Sequence, residues 1–124
     1  MKYMLLIYDN ADTRAAFFGD EGDQLMAEIN AVMKEITDSG ELIGTQALAD
    51  PSQSKTVRPR DGIKGGVPIA TDGPFAEAKE HLGGYLMVEC ETPERALEIA
   101  TRWPNSRFGA MEVRPILSQS GEEM

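Results

Sequence analysis

The chain has 124 residues, with 12 basic against 21 acidic side chains and a formal net charge of −9. That length suits a single core, and the acidic balance argues against nucleic acid as a partner, because phosphate neutralisation needs a basic footprint. One cysteine, Cys90, and one histidine, His81, leave no internal disulfide and no zinc-type spacing.

Lys2 to Tyr8 reads as a strand that is apolar on both faces, with Tyr3, Leu5 and Ile7 on one and Met4, Leu6 and Tyr8 on the other. Its apolar run is too short for a signal-peptide core or a membrane span, and the lone thiol fits a reducing, cytoplasmic compartment. Asp9 to Asp20 is expected to be a connector anchored by Phe17 and Phe18. A helix is predicted from about Gly22 to Ser39, because Leu25, Ile29, Val32, Met33 and Ile36 recur at helical steps. Asp20 or Asp23 is its expected N-cap and Gly40 its stop.

Glu41 to Leu48 follows as a second strand. Ser54 to Arg60 and Gly66 to Thr71 form an expected hairpin about the Asp61-Gly62 turn, with Pro59 marking an edge. Leu82 to Glu91 is the next strong strand, with Leu86, Val88 and Cys90 on one face and Tyr85, Met87 and Glu89 on the other. Thr92 and Pro93 open a second helix. Its buried stripe is expected to be Ala96, Leu97, Ala100 and Trp103. Ala110 to Leu117 is the last strand. Residues 1–117 thus form one domain, and 118–124 an acidic, disordered tail.

Apart from the hairpin insertion the order is βαββαβ, an α+β ferredoxin-like pattern. Two helices cover one sheet face only. The other face still carries large apolar groups, so a homodimer joined face to face through its sheets is expected. The competing arrangement folds the insertion, Ala49 to His81, over that face.

Thr71 to Tyr85 reads TDGPFAEAKEHLGGY. This segment resembles the DGPF-domain branch of the YCII-related family, whose signature runs Asp-Gly-Pro-Phe-Ala-Glu-x-Lys-Glu-x-x-Gly-Gly-Tyr. The opening MKYMLLIY, the Asp61-Gly62 turn and the closing Glu112 to Ile116 resemble that family too. The chain departs from the commonest pattern at Ala78, where a small hydroxyl residue is usual, and at His81, where glutamine is frequent. The resemblance implies a dimeric α+β barrel of two ferredoxin-like subunits. It also suggests a regulatory context, since some relatives are encoded beside, or fused to, sigma-factor-like transcription proteins. The wider YCII group is thought to use a His–Asp pair with the histidine on the first helix. Here Asp38 matches the acid, but residues 22–39 hold no histidine, so that mechanism does not carry over.

Asp72 has two readings: a carboxylate capping its own turn, or a general base or substrate anchor near Lys79. Phe75 reads as a core anchor before a ligand-stacking ring. Glu77, Lys79 and Glu80 are either a solvated charge run or a group that holds an anionic substrate while a glutamate moves a proton. His81 is the default acid–base candidate, set against a hydrogen-bonding role shared with glutamine. Lys55, Arg58, Arg60 and Lys64 against Asp61 give residues 51–70 a net +3, either an anion site or edge-strand protection. Cys90 reads as a buried, inert thiol. Glu89 reads as a buried carboxylate or a site residue, with Glu112 or Arg114 nearby.

Together these residues point to a small-molecule pocket beside the DGPF loop, with Asp72 and His81 catalytic and Glu77, Lys79, Phe75, Arg58, Arg60 and Glu89 binding. The chemistry is metal-free acid–base work on a small, anionic molecule, or its binding alone, with no cofactor. The alternative is a non-catalytic dimeric interaction or regulatory module tied to sigma-factor-type control. No membrane partner is expected.

Overall fold

A strand with a neighbour on each side sits inside its sheet, with at least one face packed on the core. Strand β1 (Lys2–Asp9) holds that position in the computed structural model, which describes residues 1–75 and 78–117. Then follow α1 (Ala11–Phe18), α2 (Gly22–Asp38), β2 (Leu42–Ala47), β3 (Lys55–Pro59), β4 (Pro68–Asp72), β5 (His81–Glu89), α3 (Pro93–Arg102), α4 (Asn105–Phe108) and β6 (Ala110–Pro115). The main sheet runs β2-β5-β1-β6 with antiparallel pairs, while β3 and β4 form a separate hairpin. This is the ferredoxin-like α+β arrangement with the expected insertion. Among the described residues no helix is long and apolar enough to cross a membrane. The expected tail, 118–124, lies outside them, as does Glu77.

The core lies between the sheet and the helices. Tyr3 and Leu5 of β1 and Leu86 and Val88 of β5 meet Val32 and Ile36 of α2 and Ala96 and Ile99 of α3. Each fully buried leucine or isoleucine contributes about 1.5–3 kcal/mol. The buried stripe of α3 corrects the sequence reading: Ala96, Ile99 and Ala100 point inward, while Leu97 is 54 % exposed. Residues 96, 99 and 100 share one helical face, and 97 lies a quarter-turn round from 96. Cys90 is buried as expected, and burial pushes its thiol up from the ordinary value.

Asp9 to Asp20 is not a plain connector. Asn10 and Thr13 form a reciprocal capping box: Thr13 N donates to Asn10 Oδ1 at 2.9 Å, and Asn10 N donates to Thr13 Oγ1 at 2.9 Å. That cap starts α1, whose weak apolar periodicity hid it. Phe18 is 89 % exposed and anchors nothing. The N-cap of α2 is Glu21 rather than Asp20 or Asp23, and its side chain makes no capping bond.

At the Glu89 end of the sheet, Arg95 of α3 clamps neighbouring elements. Its Nε and Nη2 donate to Glu41 at 2.9 and 2.8 Å, Nη2 also donates to Glu35 at 2.8 Å, and Nη1 donates to Glu98 at 2.9 Å. Arg102 joins Glu35 at 2.8 Å. Arg102 and then Arg95 hold the Glu35 carboxyl down from 4.5 to about 2, and Arg95 lowers Glu41.

On the face away from the helices, Met4, Leu6, Tyr8, Tyr85 and Met87 are half-buried. The insertion reaches only the end of this face, beside Tyr8 and Leu82, where it walls a cavity. The competing arrangement is therefore realised at that end alone.

Candidate functional site

The site is built where β1 ends. Tyr8 faces the open side beside Leu6, and Asp9 turns toward the helices. Between Ile7 and Tyr8 the register with β5 shifts: Ile7 stands across Gly84 and Tyr8 across Leu82, so Gly83 has no partner residue on β1. Asp9 Oδ1 accepts from Asn105 Nδ2 at 2.8 Å and from Thr13 Oγ1 at 3.3 Å. Asn105 also donates to the Tyr8 carbonyl at 2.9 Å. Thr13 and Asn105 are themselves buried. A buried polar cluster thus fixes the backbone that carries Tyr8.

Over this strand end lies a pocket of about 430 Å³. Tyr8, His81 and Leu82 form its sheet side. Leu48, Ala49, Pro51 and Ser54 line the approach to the hairpin, and Lys55 and Thr56 stand at the hairpin's base. Pro74, Phe75, Ala78 and Glu80 close it from the DGPF segment. Most of the wall is apolar, with a few polar groups converging on it, the usual make-up of a small-molecule site.

Those polar groups differ in their partners. His81 Nε2 is buried and has no hydrogen-bond partner among the described residues. An unmatched buried ring nitrogen costs about 1–3 kcal/mol unless something else supplies the bond. Tyr8 Oη donates to Glu112 Oε1 at 3.2 Å, and Glu112 is in turn gripped by Arg114. Burial, then the Glu112 carboxylate, holds the Tyr8 phenol above its ordinary value of 10, so Tyr8 serves as a proton-bearing donor. Glu80 accepts from Asn10 Nδ2 at 3.3 Å.

The DGPF turn is shaped by Gly73, whose φ of 90° lies in the left-handed region that favours glycine. Asp72, ahead of it, closes β4. Its side chain is 90 % exposed and pairs with Lys55 Nζ at 2.6 Å, so Lys55, not Lys79, is its cation. Gly73 N donates to the Ser54 carbonyl at 2.7 Å, and Thr56 Oγ1 donates to the Gly73 carbonyl at 2.7 Å. These bonds tie the turn to the hairpin base.

Of the residues singled out in the sequence, the structure brings Lys55, Phe75, Glu80 and His81 onto the pocket wall. Phe75 is 50 % exposed rather than a core anchor, and the Arg58 guanidinium stacks over its ring at 5.1 Å from the centroid. Asp72 reaches the pocket only through Lys55. Lys79 is exposed, and neither it nor Arg60, near the hairpin tip, lines the wall. Glu89 stands at the far end of the sheet, half-exposed rather than buried, 3.0 Å from the N-terminal amine. Tyr8 and the Leu48–Pro51 wall were missed. The signal for Tyr8 was its place at the end of an open-faced apolar strand, next to a polar Asp-Asn pair. Gly84 fits a need for close approach, since a Cβ there would lie 2.6 Å from the Gln46 carbonyl oxygen on β2.

The sequence profile of the YCII-related domain matches residues 1–120. An uncharacterised protein of Rhizobium meliloti (strain 1021) is similar to this chain, at 31 % identity over 125 residues that cover 98 % of each.

Proposed function

The chain belongs to the YCII-related domain family, and from that premise we propose that it binds a small molecule, apolar in its body and polar at one end, in the pocket beside the DGPF turn. The observation that carries this reading is His81 Nε2, buried on the wall of that pocket without a partner among the described residues. A ligand head group that shares a proton with this nitrogen relieves the unmatched atom, while Phe75, Leu82 and Leu48 receive the apolar body. The Tyr8 hydroxyl and the Lys55 ammonium flank the head, so a weakly acidic head suits the site best. Acid–base exchange between that head and His81 is the chemistry the arrangement supports, and it calls on no metal or redox cofactor.

The working unit in this reading is a homodimer joined through the open sheet face. Half-buried Met4, Leu6, Tyr85 and Met87 support it, since a contiguous apolar face invites cover.

Two measurements test these readings. Small carboxylic acids, phenols and amides are screened by NMR, following the His81 ring signals. Hits are expected to move those signals in the wild type and to lose affinity in Phe75→Ala. A screen in which none perturbs His81 overturns the binding reading. Light scattering on the full chain is expected to give twice the monomer mass, and a monomer at micromolar concentration overturns the dimer.

A further inference from the structure

The β3–β4 hairpin is poorly accounted for within one copy of the chain. Val57, Ile63 and Val67 are 65, 64 and 71 % exposed. A two-stranded hairpin with uncovered apolar side chains is marginal in water and gains stability by packing on something. Its charge says what. Residues 55–72, which make up the hairpin, carry a net +2, while the rest of the chain, with 8 basic and 19 acidic side chains, carries −11. An acidic surface of this same protein is therefore a complementary partner.

The placement of the charges narrows the choice. The hairpin is rooted at the His81 end of β5: Leu48 N donates to the Gly83 carbonyl at 2.8 Å on one side, and β4 returns through the DGPF turn on the other. The opposite end of the sheet presents Glu41, Glu89 and Glu91 around a cleft of about 540 Å³. Glu41 is matched by Arg95, and Glu89 pairs with the exposed N-terminal amine at 3.0 Å. Such a solvent-exposed pair is weak and exchangeable.

We propose that the β3–β4 hairpin is an arm that docks on the Glu89–Glu91 end of a second copy of this chain. The proposal rests on the homodimer reading and adds its geometry. When two open faces stack with their strands running in opposite directions, the hairpin end of each copy lies over the acidic end of the other. Stacking them in the same direction brings two basic hairpins together, which like-charge repulsion disfavours. Because Lys55 and Thr56 belong both to the base of the arm and to the pocket wall, docking the arm also sets the mouth of the pocket.

Sedimentation equilibrium on the full chain tests this with two charge reversals at exposed positions. One variant carries Arg60→Glu and Lys64→Glu, the second Glu89→Arg and Glu91→Arg, and a third combines all four. Each pair is expected to raise the dimer Kd by about tenfold or more at low salt, and the combination to restore it to within about threefold of wild type. Rising salt is expected to weaken the wild-type dimer, as screening shortens the reach of the charges. A wild-type dimer indifferent to both reversals overturns the arm alone, as do two weakened pairs that fail to rescue each other. A wild-type monomer overturns the homodimer reading along with it.

Discussion

The carboxylate of Asp9 occupies the space that a side chain on Gly83 needs: a Cβ at that glycine would lie 1.9 Å from Asp9 Oδ2. Asp9 has little freedom to move aside, because Asn105 and Thr13 both donate to it. Gly83→Ala is therefore expected to break that cluster. Each hydrogen bond to a carboxylate contributes about 1.5–3 kcal/mol, so the variant loses about 3 kcal/mol, read as a lower urea midpoint. Because the same cluster holds the backbone of Tyr8, ligand affinity falls with it. A variant as stable as the wild type sinks this account of the bulge.

Core and pocket respond differently to truncation. Leu86 is fully buried between sheet and helices. Leu86→Ala is expected to cost about 2–5 kcal/mol through lost transfer energy and the cavity left behind. Phe75 is half-exposed, and Phe75→Ala is expected to cost less than about 1 kcal/mol while weakening ligand binding about tenfold. Urea titrations of both variants measure the contrast, and a Phe75→Ala protein as unstable as Leu86→Ala returns that ring to the core.

His81 separates stability from binding in the opposite sense. Removing a polar atom that has no partner among the described residues leaves nothing there unsatisfied, so His81→Leu is expected to be neutral or more stable by about 1 kcal/mol. Ligand binding is lost. A clear drop in thermal midpoint shows instead that Nε2 is satisfied within the fold.

Acid sensitivity follows from Glu35. Its carboxyl is lowered from 4.5 to about 2 in the folded protein by Arg102 and then Arg95. A depressed carboxylate contributes stability that is fully present above its unfolded pKa and fades as pH falls through the folded one. Stability is thus expected to hold above about pH 5 and to decline progressively toward pH 2. Urea midpoints measured across this range check it, and Glu35→Gln flattens the decline. An unchanged acid slope in that variant assigns the sensitivity to other carboxylates.

How much of this was legible in the sequence follows from which residues carry periodic signals. The central strands were legible because Tyr3, Leu5, Leu86 and Val88 alternate with their open-faced neighbours. Helix α1 was not, because the reciprocal Asn10–Thr13 cap starts it and no apolar stripe announces it. The role of Phe75 was misread for a physical reason: hydrophobicity marks a ring as wanting cover, but not whether the cover is core or ligand. Tyr8 and Leu48 lie 40 positions apart, and only the β1–β5–β2 pairing brings them to one pocket. Asp72 and His81 belong to one contiguous signature, yet the Gly73 turn sends the Asp72 carboxylate outward to Lys55.

Gly83, without a partner residue on β1, also divides β5 into two phases. From Gly84 to Glu89, odd and even positions alternate between the open side and the helices in strict parity with β1. Uninterrupted alternation would point Leu82 toward the helices with Gly84 and Leu86. The extra residue instead sets it across Tyr8, on the pocket wall. The strand is therefore read in one frame where it builds the core and in another where it builds the site. Changes in length on the pocket side of Gly83 can be absorbed at that break, so the site end of the molecule is free to vary without inverting the interior.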